Sequence, residues 1–288
     1  MNQHKLSVIL ATHNEEKNLG DCLESVKDIA DEIIVVDGSS TDATVAIAEK
    51  YHAQVKVVEN QQNFHINKQK ALAMANNEWI LQLDADERVS KELAKEIEKV
   101  IALSDEALEV YEQQLPGKNL FHRHQKLLET RDGAIGNKDG QYAAFFIPRL
   151  NYFLGKYLRF GGVYPDGVIR LVKKGHAHFP AKDVHEQIAV DGKVGWLQSP
   201  LLHQDSPTFE RYLQRNNRYI DFIATQLADQ KMKIDLKTDI DYLFLKPFSW
   251  FFTTQIRHKG ILDGYQGVLF SLFSALRFPR AYMRFKKK

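Results

Sequence analysis

The sequence predicts an α/β protein, a mostly parallel central sheet flanked by helices, with a helical C-terminal extension. Three observations predict it. Four apolar strand-like runs alternate with helix-like segments over the first 90 residues. Polar clusters close the first, second and fourth of those runs. From Ser206 onward the apolar positions Phe209, Tyr212, Leu213, Tyr219 and Phe222 return to helical spacing.

The elements follow in order. "LSVILA" (Leu6 to Ala11) is a short apolar strand, and Leu19, Cys22, Leu23, Val26 and Ile29 then recur as on a helix. "EIIVVD" is a β-branched run ending at Asp37, the pattern of a strand buried on both faces. "SSTDATVAIAEKY" offers Ser and Thr as helix caps, "QVKVVE" is strand-like and "NKQKALAMAN" helix-like. "WILQLD" is the fourth strand, ending at Asp84. This alternation implies right-handed crossovers and a parallel, doubly wound arrangement. After Ile101 the rhythm breaks. Residues 112–142 are polar and Gly-containing and read as a long loop, and "AAFFIPRL", "GVIRLVK" and "GKVGWL" read as further strands. The expected divisions are 1–105, 106–205 and 206–288.

Composition excludes several classes. The chain has 288 residues and a formal net charge of +2, with Cys22 its single cysteine. An internal disulfide and a multi-cysteine zinc site are excluded, and a reducing cytosol is expected. The N-terminal apolar stretch is too short for a signal-peptide core, and nowhere do about 18 uncharged residues run together. Of 39 basic and 37 acidic residues, nine basic and one acidic fall from Tyr242 to the end. The 13 uncharged residues from Gly264 to Leu276, followed by six cations and no acid, suit an interfacial helix and an anionic membrane surface. The alternative is a core-packed helix with a solvated basic tip. Nucleic acid is not expected as a partner, because the body is acidic and the basic run short.

In a doubly wound sheet, ligands bind at the carboxyl ends of strands where strand order reverses. "THNEE" (Thr12, Asn14, Glu15), "DGSSTD" (Asp37 to Asp42) and "DADE" (Asp84 to Glu87) fall at those ends. Two carboxylates two residues apart, Asp84 and Asp86, can reach one hard cation, Mg²⁺ or Mn²⁺, that shares its sphere with substrate phosphates. Ala85 keeps that turn free of bulk. The bland alternative is a solvated acidic turn that caps a helix starting near Ser90. Asp37 closes a buried strand, Gly38 permits a tight turn, and Ser39 to Asp42 start a helix whose N–H groups suit an anion. Capping alone accounts for the hydroxyls but not for the acid on the last strand residue. No G-x-G-x-x-G follows the first strand, and no P-loop and no G-x-S-x-G elbow occurs.

"VILATHNEE", "IIVVDGSSTD" and "NKQKALAMANNEWILQLDADE" resemble the nucleotide-binding half of family-2 glycosyltransferases, which have the GT-A fold. "RLVKKG", "DVHEQI", "LLHQDS" and "KGILDGYQG" are similar to the subgroup that adds a sugar, typically glucose, to the inner core of lipopolysaccharide. The resemblance implies a UDP-sugar donor bound by residues 1–105, an acceptor bound by 106–205, and inverting hexose transfer to a lipid-linked glycan. It implies that Asp37 accepts from the uracil N–H, with Thr12, Asn14, Glu15 and Ser39 around the nucleotide and Lys68 replacing a commoner arginine. Asp84 would meet ribose or metal, and Asp86 would ligate Mg²⁺ or Mn²⁺. His203 would be a late metal ligand, or else a packing residue. Glu186 in "DVHEQI" is the candidate base, with Asp183 and Asp166 as rivals, one of the three pairing with Arg170. His122 and His124 are expected to be solvated. The expected location is cytoplasmic, peripheral on the inner face of the cell membrane. Alternatives are a transferase for another surface polysaccharide or polyprenyl-linked sugar, and a nucleotide- or glycan-binding protein that has lost catalysis. A nucleotidyltransferase is disfavoured, because "THNEE" is not a Gly- and Arg-rich loop.

Overall fold

The computed structural model describes residues 5–180 and 187–287. In chain order the elements begin β1 (Leu6–Thr12), α1 (Leu19–Glu24), β2 (Glu32–Asp37), α2 (Thr44–Lys50), β3 (Gln54–Val57), α3 (His65–Met74) and β4 (Trp79–Leu83). They continue with β5 (Glu87–Val89), α4 (Lys91–Ile101), α5 (Asp105–Gln113), α6 (Lys118–Asp132), β6 (Tyr142–Phe153), β7 (Lys156–Tyr157) and β8 (Asp166–Lys173). Then come β9 (Ala177–His178), β10 (Ala189–Val190), β11 (Lys193–Trp196), β12 (Leu201–Ser206), α7 (Phe209–Asp229), α8 (Leu236–Ile240), α9 (Lys246–Phe252), α10 (Tyr265–Ala275) and α11 (Arg277–Phe285). Two compact units result, Met1–Arg149 with Pro165–His203, and Leu150–Tyr164 with Gln204–Lys288.

The sheet runs β3-β2-β1-β4-β8-β6-β12-β5. Its first four strands pair in parallel, as their alternation with helices requires. Strand order reverses between β1 and β4, so the crevice expected from topology opens beside Thr12 and Asp84. From β4 to β8 and from β8 to β6 the pairing is antiparallel. The core of this unit joins Val8, Leu10, Val35, Leu81 and Leu83 of the strands to Leu19, Cys22 and Leu23 of α1 and Leu93, Ile97 and Val100 of α4. Ser90, not the acidic turn, caps α4, accepting from Leu93 N at 3.1 Å, and β5 lies between that turn and the helix.

The span 112–142 is not a long loop. It holds the end of α5 and all of α6. Only Phe121 of α6 is buried, stacked 4.8 Å from Trp196, so the helix lacks the apolar stripe by which sequence reading finds helices. His124 of α6 is not solvated, because its Nε2 accepts from Gly167 N at 3.1 Å and its ring meets Trp196 edge-on. Gly167 is obligatory there, since a Cβ would lie 2.3 Å from the Trp196 ring. His122 is exposed, as expected.

The second unit is helical apart from its strand segments. Phe153, Leu158 and Tyr212 form one core cluster, with Leu269 and Phe270 against it. Ala281 of α11 packs on Ile220 and Ala224 of α7. No described helix is long and apolar enough to cross a membrane.

Candidate active site

The loops after β1 and β2 are joined side chain by side chain. Thr12 Oγ1 donates to Asp37 Oδ1 at 2.9 Å, and Asp37 also accepts from Ser40 N at 2.7 Å and Ser40 Oγ at 2.6 Å. Asn14 Oδ1 accepts from Thr41 N at 2.8 Å, and Glu15 N donates to Thr44 Oγ1 at 2.8 Å. Asp37 is fully buried, and these donors keep its carboxylate from being an unsatisfied buried charge. Gly38, expected to permit a tight turn or a close approach, leaves a Cβ only 3.1 Å from Asn60 Oδ1, while the left-handed residue of this loop is Ser39, at φ 56°, whose hydroxyl donates to Val58 O at 2.8 Å. The helix expected from Ser39 begins at Thr44, and Asp42 Oδ1 accepts from Thr44 N at 3.0 Å. Ser39 to Asp42 therefore form the loop ahead of α2 rather than its first turn.

The acidic turn lies against a cluster of cations. Lys68 Nζ, from α3, sits 2.5 Å from Asp84 Oδ1, and Arg170 Nη2, from β8, sits 2.5 Å from Asp84 Oδ2. Burial opposes the Asp84 charge, but Arg170 and then Lys68 hold its carboxyl well below the usual range. Burial pushes the Lys68 ammonium down despite Asp84. Glu87 is fully buried, with Arg170 Nη2 at 2.8 Å and Arg149 Nη1 at 3.5 Å, and it accepts from Asp84 N at 2.9 Å. Crowded carboxylates are thus stable here because three protein cations stand among them.

Asp86 points elsewhere. Its Oδ2 is 3.5 Å from His203 Nε2, and His203 lies opposite Glu87 in the β12–β5 pairing. Ala85 is buried beneath the turn, where its carbonyl accepts from Arg88 Nη1 at 2.7 Å. Asp166 pairs with Arg149 at 2.7 Å, whereas Arg170 serves Asp84 and Glu87, so the Arg170 pairing expected for one of the three candidate bases is not made by Asp166. Glu186 and Asp183 lie outside the described residues.

Among the described residues no group of three His, Cys, Asp or Glu side chains is placed to hold a metal. Asp84 does not fit the role, because both its oxygens contact cations. Asp86 and His203 do fit a Mg²⁺ or Mn²⁺ ion that takes its remaining ligands from phosphate oxygens and water.

The family model for glycosyl transferase family 2 matches residues 7–162, more than half of the chain. The chain belongs to glycosyltransferase family 2. This family-2 chain is 28% identical to an uncharacterized glycosyltransferase of Rickettsia felis over 96% of its own length and 88% of the relative's. It is 46% identical to one from Rickettsia conorii, over only 34% of each chain. The lipopolysaccharide core biosynthesis glycosyltransferase LpsC of Rhizobium meliloti is 24% identical over 94% of this chain and 91% of its own. Among solved structures, glucosyl-3-phosphoglycerate synthase of Mycobacterium tuberculosis shows 25% identity at a TM-score of 0.27, over 29% of this chain and 34% of that one. The GT-A architecture expected from the motifs is the one found, with β3, β2, β1 and β4 parallel, flanking helices and C-terminal helices.

Sequence reading missed the roles of Arg149, Glu87 and Gln82 in this family-2 site. One signal was present. An arginine amid the apolar residues of "GVIRLVK" must have a buried partner, and the β4–β8 register (Leu81 with Leu171) carries Arg170 to Gln82, to which it donates. Cys22 Sγ lies 3.6 Å from Asp84 O beneath the turn, and burial pushes its thiol far above the ordinary range. It should therefore fail to react with Ellman's reagent in the folded protein and titrate as one thiol in urea. Stoichiometric labelling without denaturant would contradict this burial.

Proposed function

We propose that this family-2 glycosyltransferase moves a hexose, glucose by preference, from a UDP-sugar to a lipid-linked glycan with inversion. The acceptor we favour is the inner core of lipopolysaccharide, reached at the inner face of the cell membrane. What carries the donor half of the reading is the division of labour in the acidic turn. Asp84 and Glu87 are neutralised from within, and Asp86 is directed to His203. The similarity to LpsC along nearly the whole chain supports the acceptor half.

Thr12, Asn14, Glu15 and Ser39 shape the uridine pocket, and Asp37 accepts from the uracil N–H once Ser40 gives way. Lys68, held by Asp84, supplies positive charge near the diphosphate. Asp86 and His203 would hold Mg²⁺ or Mn²⁺, which when bound offsets charge developing on the departing UDP. Inversion needs a base that takes the acceptor proton on the face opposite UDP. Glu186 is the first choice, with Asp183 next. Asp166 ranks last because one of its oxygens is committed to Arg149.

The test is calorimetric titration with UDP, with and without Mn²⁺, on wild type and Asp86→Ala. Mn²⁺ should tighten UDP binding at least about tenfold, equivalent to ~1.4 kcal/mol. Asp86→Ala should remove that gain. UDP affinity indifferent to both Mn²⁺ and the substitution would reject the site assignment.

A further inference from the structure

The second unit presents an apolar stripe that its own core does not use. Leu236, Ile240, Phe244, Phe248, Phe252 and Ile256 recur at intervals of four and are each 42–76% exposed. They lie on one nearly continuous helical rod, α8 and α9 with a five-residue π-helical turn after each, Asp241–Leu245 and Thr253–Arg257. In a uniform α-helix each step of four overshoots a full turn by roughly 40°. Five such steps would carry the stripe more than halfway round the helix. The π-turns are wider and reverse that drift. Their i→i+5 bonds are explicit: Lys246 N donates to Asp241 O, and His258 N to Thr253 O at 3.0 Å. Pro247 follows the first wide turn and has no N–H to give. Away from the stripe Tyr242, Thr254 and Gln255 are buried, and Trp250, 44% exposed, donates its Nε1–H to Ser274 Oγ at 3.2 Å.

The rod does not stand alone. Ile261, Leu262, Tyr265 and Leu272, on the 3₁₀ turn Gly260–Asp263 and on α10, extend the exposed apolar surface. Soluble proteins rarely expose contiguous apolar patches of this kind without a partner. Charge says which partner. Of the acids on the rod and its extension, Asp235 caps α8 by accepting from Thr238 N at 2.8 Å, Asp239 is held by Tyr282 Oη and Lys286 Nζ at 2.6 and 2.8 Å, Asp241 pairs with Lys246 Nζ at 3.0 Å, and Asp263 is buried and accepts from Arg159 N and Phe160 N at 2.9 and 2.8 Å. Arg257 and Lys259 are exposed at the end of the stripe. The basic C-terminus expected to meet lipid is largely engaged within the unit. Arg280 Nη2 donates to Asn217 Oδ1 at 2.7 Å and Lys286 Nζ to Asp239 Oδ1 at 2.8 Å, while Arg277 and Arg284 hold Asn216 and Asp221.

We infer that the π-interrupted rod, with the 3₁₀ turn and α10, seats this chain in one leaflet of an anionic phospholipid bilayer by inserting its apolar stripe, with Arg257 and Lys259 among the headgroups. The inference rests on the membrane-facing part of the function proposed above and not on its donor chemistry.

The test uses the full chain with phosphatidylcholine vesicles, with and without phosphatidylglycerol, at 0.1 and 1 M NaCl as chosen salt conditions that bracket strong screening. Trp79 and Trp196 are buried and Trp250 is 44% exposed, so brominated lipid can quench only Trp250. Sedimentation with anionic vesicles, retention in 1 M NaCl and quenching of Trp250 are expected. The triple variant F244S/F248S/I256S should reduce the bound fraction at least about tenfold. It should also keep wild-type circular dichroism and UDP titration, since all three side chains point outward. R257E/K259E should weaken binding at low salt. Absence of sedimentation overturns the inference. So does complete release at high salt without quenching, which would mean adsorption through charge alone. A lipid-free dimer that the triple variant dissociates would also overturn it, by assigning the face to a second copy. Vesicle binding without UDP binding would leave this inference standing and remove the donor reading.

Discussion

Arg170→Met should lower the stability of the sheet-containing unit by about 3–5 kcal/mol, the usual consequence of leaving buried charges without their partner. Arg170 is nearly enclosed and contacts Asp84 at 2.5 Å and Glu87 at 2.8 Å, and Gln82 accepts from it as well. Burial works against its charge, and Asp84 and Glu87 more than offset that, raising its pKa. Without Arg170, Asp84 retains Lys68, but Glu87, with no solvent exposure, keeps Arg149 at 3.5 Å as its cation and the Asp84 N–H as a donor. The midpoint should be read from labelling of Cys22, which lies in this unit. Adding Glu87→Gln should recover part of the loss, because an amide carries no charge to strand. A single-variant loss under about 1 kcal/mol, the worth of an exposed ion pair, would show that the cluster is solvated in solution. Asp84 adds a pH signature. Its folded pKa is depressed, so its contribution is complete above the ordinary carboxylate range, declines as pH falls below that range and is gone once pH has fallen through the lowered value.

Glu112 gives the opposite dependence. It is buried on α5, its carboxylate accepts from Trp196 N, and burial pushes its pKa from 4.5 up to about 7. A raised folded pKa means that the folded state binds the proton more tightly. The stability due to that proton is complete below about pH 4.5 and lost as pH rises to about 7. The gap corresponds to roughly 3 kcal/mol. Glu112→Gln keeps an oxygen for Trp196 N–H and has no charge to form. It should flatten this part of the pH profile and be more stable than wild type at pH 8 by up to that amount. Urea midpoints followed by tryptophan emission at about pH 4 and 8, on either side of the titration, decide it. Parallel profiles for the two proteins would refute the assignment.

The sequence by itself determined the order and type of the first four strands and their helices, because β-branched runs and helical spacing are local signals. It also located the loops that meet at the strand ends, since a parallel alternation forces them to one edge of the sheet. Thr12, Asn14, Asp37, Asp84 and Asp86 were all legible for that reason. Helix α6 was not, because "KNLFHRHQKLLETRD" buries only Phe121 and carries no period to read. Only the tertiary structure decided which acids of "DADE" are internally neutralised. Arg149 and Arg170 reach Glu87 across 62 and 83 residues of chain, through antiparallel registers that no local pattern encodes. It likewise decided which aromatics of the C-terminal region are core and which face outward. A helical period drifts or holds according to how each turn is hydrogen-bonded, and two wide turns kept that apolar stripe on one side.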